Sequence, residues 1–186
     1  DRLAAAVDRA AHTSGARFMP IFQYRFGDGA ARARALIDAG LTGRKNAVDT
    51  YGEYARHSGA ALSGKDIWRI DRIGAYAARH AAKNAVAAGL CRQCEVALSY
   101  TVGQSAPMGL AVDTFGTGEI DDDQLADRLR ETMDFRVGGI LKSLRLREAV
   151  AASGGNFFRR LAAYGQVGRA DLDLPWEDTG SCRKLA

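Results

Sequence analysis

Two glycine-rich runs hold the side chains best suited to chemistry. The first spans Asp38 to Lys45, and the second spans Ser58 to Asp71. Besides Asp66, they carry two carboxylates and four cations: Asp38, Arg44, Lys45, Lys65, Arg69 and Asp71. These are the residue types that hold a polyphosphate and its divalent metal. Planar Arg and point-charge Lys neutralise phosphate oxygens, each in its own geometry. Asp offers hard oxygen to Mg²⁺. Glycine lets backbone N–H groups approach an anion closely. On residue types alone, two charged surface turns fit the same pattern equally well.

Other candidate sites are weaker. Gly59, Gly64 and Lys65 have the spacing of a P-loop, but Asp66 stands where that loop needs Ser or Thr. The stretch before it, Tyr54 to Ser58, is not an apolar strand. Cys91-Arg92-Gln93-Cys94 is a lone CxxC with no second pair nearby. It reads as two thiols at a helix-to-strand junction rather than as zinc ligands. His12, His57 and His80 are scattered. His80 reads as a core or interface histidine, and His57 adjoins the second loop. Asp121, Asp122 and Asp123 read as the acidic first turn of a helix.

Composition bounds the rest. The chain has 186 residues, 47% of them hydrophobic, enough for one packed domain, with or without an appendage. It has no apolar run of about 18 residues, so no membrane span is expected. The start, Asp1 to Asp8, does not read as a signal peptide. Three cysteines argue against a disulfide framework and suit a reducing cytoplasm. The formal charge of +4, from 26 basic and 22 acidic residues, fits a mixed solvated surface and makes no case for nucleic acid.

The elements that must position the charged loops follow from periodicity. Residues 1–14 read as a helix, 18–26 as a strand, 30–37 as a short helical or irregular link and 47–50 as a short strand. The clearest helix is Asp71 to Ala88, with Ile73, Tyr76, Ala77, His80, Ala81, Asn84 and Ala85 on one side and Gly89 at its end. Glu95–Val102 and Met108–Phe115 alternate as an antiparallel pair. Helices are expected over Ile120–Met133 and Gly139–Leu146, with further structure at Arg159–Tyr164. Gly180–Ala186 is expected to be a loose tail. The expected class is α+β, a layer of helices packed on a mixed or antiparallel sheet.

The charged runs belong to a longer series: Asp38 to Lys45, Val48 to Gly52, Ser63 to Asp66, Arg69 to Arg72 and Gly74 to Arg79. Ala88-Gly89-Leu90, Val96 to Tyr100, Phe115-Gly116-Thr117, Ala162 to Gly165 and Pro175-Trp176-Glu177 follow. In this order they resemble the C-terminal third of S-adenosylmethionine synthetase (methionine adenosyltransferase). The resemblance covers about Arg17 to Glu177. It implies residues 1–37 as the end of the family's central region and 38–186 as its C-terminal domain.

The resemblance also implies a reaction. Methionine sulfur attacks the ribose C5′ of ATP and expels the triphosphate, which is hydrolysed to phosphate and diphosphate. No side-chain nucleophile is involved, so positioning and charge stabilisation do the work. The implied catalytic residues are Lys65, Arg69 and Asp71. The implied triphosphate and nucleotide contacts are Arg25, Phe26, Asp38, Arg44, Lys45, Ala61 and Lys65. Phe26 would stack on adenine, Asp38 and Arg69 would serve methionine, and Asp71 would hold Mg²⁺. The implied cofactors are Mg²⁺ and K⁺, and the implied partners are ATP, L-methionine and further copies of the chain in a dimer or tetramer with shared sites.

This sequence departs from the family at several places. Arg69 replaces a common Lys, and the link from Gly27 to Ile37 is longer than usual and lacks Pro. Ala60 and Leu62 replace Gly and Phe, while Gln166 and Val167 replace His and Phe. The family's N-terminal catalytic His, first Mg²⁺ Asp and potassium-binding Glu have no counterpart here. A non-catalytic homologue acting as a regulatory or partner-binding subunit is the alternative.

Overall fold

The computed structural model describes residues 62–162 and 165–186. The expected helix and strands before residue 50 lie outside these residues. The described part is α+β: helices packed against one face of a two-stranded antiparallel sheet.

Helix α1, Ile70–Ala87, organises the domain. Arg72, Ile73, Tyr76, Ala77, Ala81, Asn84 and Ala85 recur at helical spacing and are buried. Asp71 lies in the first turn, where a carboxylate complements the helix dipole. The helix ends in a Schellman motif. Gly89 N–H donates to the Val86 carbonyl at 3.0 Å and Leu90 N–H to the Ala85 carbonyl at 3.2 Å. Gly89 takes φ +75°, which a Cβ would strain.

Strands β1 (Glu95–Ser99) and β2 (Gly109–Asp113) pair in register from Glu95↔Asp113 to Ser99↔Gly109. They are shorter than the alternation suggests. Beyond Ser99 the Tyr100 hydroxyl donates to the Phe135 carbonyl at 2.8 Å, pulling the chain towards the helices, and Val102 is fully exposed. Val96, Leu98, Leu110 and Val112 pack on the core, while Ala97 and Ala111 are exposed.

Helix α2 (Asp122–Thr132) buries Leu125, Ala126 and Leu129. Its acidic start does more than meet the dipole: Asp122 accepts bonds from the Thr114 amide and hydroxyl, tying α2 to the end of β2. The single helix expected over Gly139–Leu146 is two helices, α3 (Val137–Ser143) and α4 (Leu146–Ala152). Arg145, in the left-handed region at φ +47°, breaks them apart, and the break lets Leu144 and Leu146 both be buried. Helix α5 is Phe157–Leu161, earlier than the expected Arg159–Tyr164. A 3-10 turn, Pro175–Glu177, follows.

The expected loose tail is instead ordered. Helix α6, Cys182–Leu185, packs Leu185 to 2% exposure, and Arg128 Nη1 donates to the Leu185 carbonyl at 3.1 Å. A four-residue helix is too short to show a period.

At the centre, Tyr76 and Trp176 stack with centroids 3.7 Å apart, and Phe157 meets the Trp176 ring edge-on. Both stacked rings are fully buried. Each removes about 150–250 Å² from water, so at 25 cal/mol/Å² each contributes at most about 4–6 kcal/mol. No helix of the described residues is long and apolar enough to cross a membrane.

Candidate phosphate site

The loop 62–69 delivers Lys65 and Arg69 to the start of α1. Leu62 anchors it in the core at 3% exposure. Gly64 turns the chain at φ +78°. Asp66 then closes an Asx-type turn: its Oδ1 accepts from Trp68 N–H at 2.9 Å and its carbonyl from Arg69 N–H at 3.0 Å. Arg69 is the N-cap residue in extended conformation, and two residues later Asp71 emerges from the first turn.

This path brings three predicted residues together. Asp71 Oδ2 lies 3.0 Å from Lys65 Nζ and 3.6 Å from Arg69 Nη2. The hydrogen bond from Lys65 is the chief cause that holds the Asp71 carboxyl below the ordinary range. Partial burial opposes it, and the positive charge of Lys65 and Arg69 assists. Asp71 is therefore ionised at neutral pH. The side chains of Lys65, Asp71 and Arg69 are 26%, 30% and 65% exposed. Pairs so open to water contribute at most about 1 kcal/mol each, so the three groups can exchange partners at small cost. The helix starts five residues beyond Lys65, unlike a P-loop, in which the helix opens at the lysine itself.

Arg25, Phe26, Asp38, Arg44, Lys45 and Ala61 lie outside the described residues, as does His57. The donor set that remains suits Mg²⁺ held mostly by phosphate oxygens and water. Such a metal takes one or two carboxylates from the protein. Asp71 could supply one, already ionised and flanked by two cations. Among the described residues no group of three His, Cys, Asp or Glu could hold a metal without such a ligand.

A buried network behind the loop was not legible in the sequence. Arg72, 3% exposed, donates from Nη1 to the Lys65 carbonyl at 2.6 Å and from Nε to the Tyr76 hydroxyl at 2.9 Å. Tyr76 donates to Gln166 Oε1 at 2.7 Å, and Gln166 Nε2 donates to Ser63 Oγ at 2.8 Å. Trp176 Nε1 donates to the Gln166 carbonyl at 2.9 Å. The neighbouring Glu177 carboxylate receives both Arg79 prongs, Lys83 Nζ and the Gly168 amide. The i, i+4 placing of Arg72 and Tyr76 on α1 was the one available signal.

The remaining candidates take other parts. Cys91 is buried and bridges to Gly118 in an isolated antiparallel pair, between α1 and β1. Burial pushes the thiol of Cys91 up and that of Cys94 far up. His80 sits on α1 beside Asn84, and burial pushes its ring down, with nearby Asp178 opposing.

Comparison with known proteins accounts for these motifs. A family model described as the C-terminal domain of S-adenosylmethionine synthetase matches residues 34–178. The S-adenosylmethionine synthase of Crocosphaera subtropica is 54% identical over 148 residues, 80% of this chain and 36% of that protein. That of a Synechocystis species is 54% identical over 142 residues, 76% of this chain and 33% of that protein. A solved structure, an unusual S-adenosylmethionine synthetase from Campylobacter jejuni, superposes with a TM-score of 0.68 at 38% identity, covering 77% of this chain and 36% of that one. The chain spans about a third of the length of these relatives.

Proposed function

The chain belongs to the S-adenosylmethionine synthetase family, matching its C-terminal domain, and we propose that it supplies the triphosphate and metal half of a methionine adenosyltransferase site. The observation that carries this reading is the convergence of Lys65 and Arg69 on ionised Asp71 within a family-matched loop. Lys65 and Arg69 neutralise the charge that gathers on the triphosphate as it leaves the ribose carbon. Arg69 replaces the family's usual Lys, and its 65% exposed side chain reaches outward to methionine or the leaving group. Asp71 would hold Mg²⁺, which would supply charge neutralisation to the phosphates. The resting ion pair keeps Lys65 and Asp71 charged and placed, and Lys65 grips phosphate.

The same reading assigns Arg25, Phe26, Arg44, Lys45 and Ala61 to the nucleotide, and Asp38 to the nucleotide and methionine. It gives the protein ATP and L-methionine as substrates, K⁺ as a second ion, the cytoplasm as its location, and a dimer or tetramer with shared sites. The other catalytic and metal residues come from the segments that precede this region in the family.

The test is a chimera. Residues 34–178 replace the matching third of a full-length relative, and S-adenosylmethionine formation is measured with ATP, methionine, Mg²⁺ and K⁺. The chimera should turn over while the 186-residue chain alone does not. Lys65→Ala in the chimera should lower kcat/KM for ATP by roughly 10–150-fold, the worth of one charge-assisted phosphate contact of about 1.5–3 kcal/mol. The effect on methionine binding should be smaller. A folded but inactive chimera, or unchanged ATP kinetics in Lys65→Ala, would overturn the reading and leave a non-catalytic binding subunit in its place.

A further inference from the structure

Arg72 is buried, and no described residue serves it as a counter-ion. It forms no ion pair among the described residues, and its guanidinium lies 4.1 Å over the Phe158 ring. Burying a cation this way is costly, and Leu or Met would fill the same space at lower cost. What a guanidinium alone adds is a rigid fork that donates in two directions. One prong holds the Lys65 carbonyl, seven residues back, and the other holds the Tyr76 hydroxyl. From Tyr76 the chain of bonds runs through Gln166 to the Ser63 hydroxyl. Both residues flanking Gly64 are thus held by one relay. Nothing lies within 4 Å of where a Gly64 side chain would start, and the turn at Gly64 is one that L residues rarely adopt. No described side chain therefore crowds Gly64, and the relay holds the residues on either side of it.

We propose that Arg72 is a positioning residue: by clamping the Lys65 carbonyl against α1, it aims the Lys65 ammonium at the phosphate site beside Asp71. This rests on the triphosphate reading given above. Arg72 touches no substrate in this scheme and acts only through Lys65. Its Nη1 bond at 2.6 Å is the shortest that links the loop to the helix by side chain, and the planar fork leaves it little freedom to follow a shifted carbonyl. A lysine at the same position keeps the charge but has one terminal nitrogen, so it cannot hold the Lys65 carbonyl and the Tyr76 hydroxyl in the same geometry.

The experiment is a double-mutant cycle on the full 186-residue chain. The probe is inorganic tripolyphosphate with Mg²⁺, titrated by calorimetry, with thermal unfolding measured in parallel. Lys65→Ala should weaken binding roughly tenfold or more. Arg72→Lys should weaken it roughly three- to tenfold, the size of one neutral hydrogen bond. In the Lys65→Ala background Arg72→Lys should change affinity less than about twofold, because the group it aims is gone. Hydrogen exchange of the free protein should show the Lys65 amide opening faster in Arg72→Lys, with mid-α1 amides unchanged. Tyr76→Phe keeps the ring on Trp176 and removes only the relay hydroxyl. It should act in the same direction, and it carries the test if Arg72→Lys does not fold. Additive effects of Lys65→Ala and Arg72→Lys, or a fall in melting temperature with affinity intact, overturn the positioning role while leaving the triphosphate reading standing. No binding by the wild-type chain, or full binding by Lys65→Ala, overturns both.

Discussion

Changing Glu177 to Gln keeps the shape of the side chain and removes its charge. In the wild type, Arg79 donates Nε to Oε1 at 3.0 Å and Nη2 to Oε2 at 2.9 Å, Lys83 Nζ donates at 2.7 Å, and the Gly168 amide donates at 2.7 Å. The Glu177 side chain is 12% exposed, while Arg79 and Lys83 are 21% and 33% exposed. Breaking a buried pair from one side costs about 3–5 kcal/mol, whereas a surface pair is worth at most about 1. The two cations can partly hydrate, and glutamine still accepts from Gly168, so the expected loss is about 2–3 kcal/mol. For a chain of this length that lowers the melting temperature by about 4–12 °C. Burial, the largest influence on Glu177, pushes its carboxyl up. The bonds from Arg79, Gly168 and Lys83 together outweigh it and hold the group below its ordinary value of 4.5. A depressed folded-state value means the stabilisation is fully present above the unfolded carboxylate's range and is lost as pH falls through the folded one. Urea unfolding of both proteins should therefore show a constant gap near neutral pH that closes progressively below about pH 4.5. A gap that persists undiminished near pH 3, or one below about 1 kcal/mol at neutral pH, would refute the reasoning.

Two further outcomes follow from the same geometry. In Gly118→Ala the new Cβ would lie 2.7 Å from the Ile120 carbonyl oxygen and 2.9 Å from Thr114 Oγ1. The carbonyl cannot swing aside as a side chain would, so chemical denaturation should register a loss of about 1–3 kcal/mol, and an unchanged midpoint would contradict the packing described. Burial that raises the thiols of Cys91 and Cys94 keeps them protonated, so iodoacetamide should label both slowly in the native protein and quickly in urea. Native labelling of Cys94 at the denatured rate would show that the pair is not sequestered.

What the sequence made legible was local. The buried face of α1 could be read because Ile73, Tyr76, Ala77, Ala81, Asn84 and Ala85 repeat at the helical period, and Gly89 marked its end. The grouping of Lys65, Arg69 and Asp71 was visible because the last follows the first by only six positions. The two short helices α3 and α4 were not separable, since Leu144 and Leu146 look like one apolar run until Arg145 is seen in the left-handed region. The order at Leu185 was hidden because one buried residue carries no pattern. The relay from Arg72 through Gln166 to Ser63 was invisible for a stronger reason. Its links join positions 90 and 103 apart in the chain, and no spacing rule connects residues at that distance.

That same separation has a consequence during synthesis. Helix α1 leaves the ribosome long before the segment that completes it, because Tyr76 waits for a partner 90 residues later. At about 5–20 residues per second, the interval is roughly 5–20 s. Throughout it the helix can coil, since its hydrogen bonds are local, but Tyr76 has no Trp176 ring to lie against. A ribosome that stalls before Gln166 would display a formed helix whose apolar stripe still lacks part of its cover. The time taken to translate from Tyr76 to Trp176 thus sets how long the aromatic face of α1 stays uncovered.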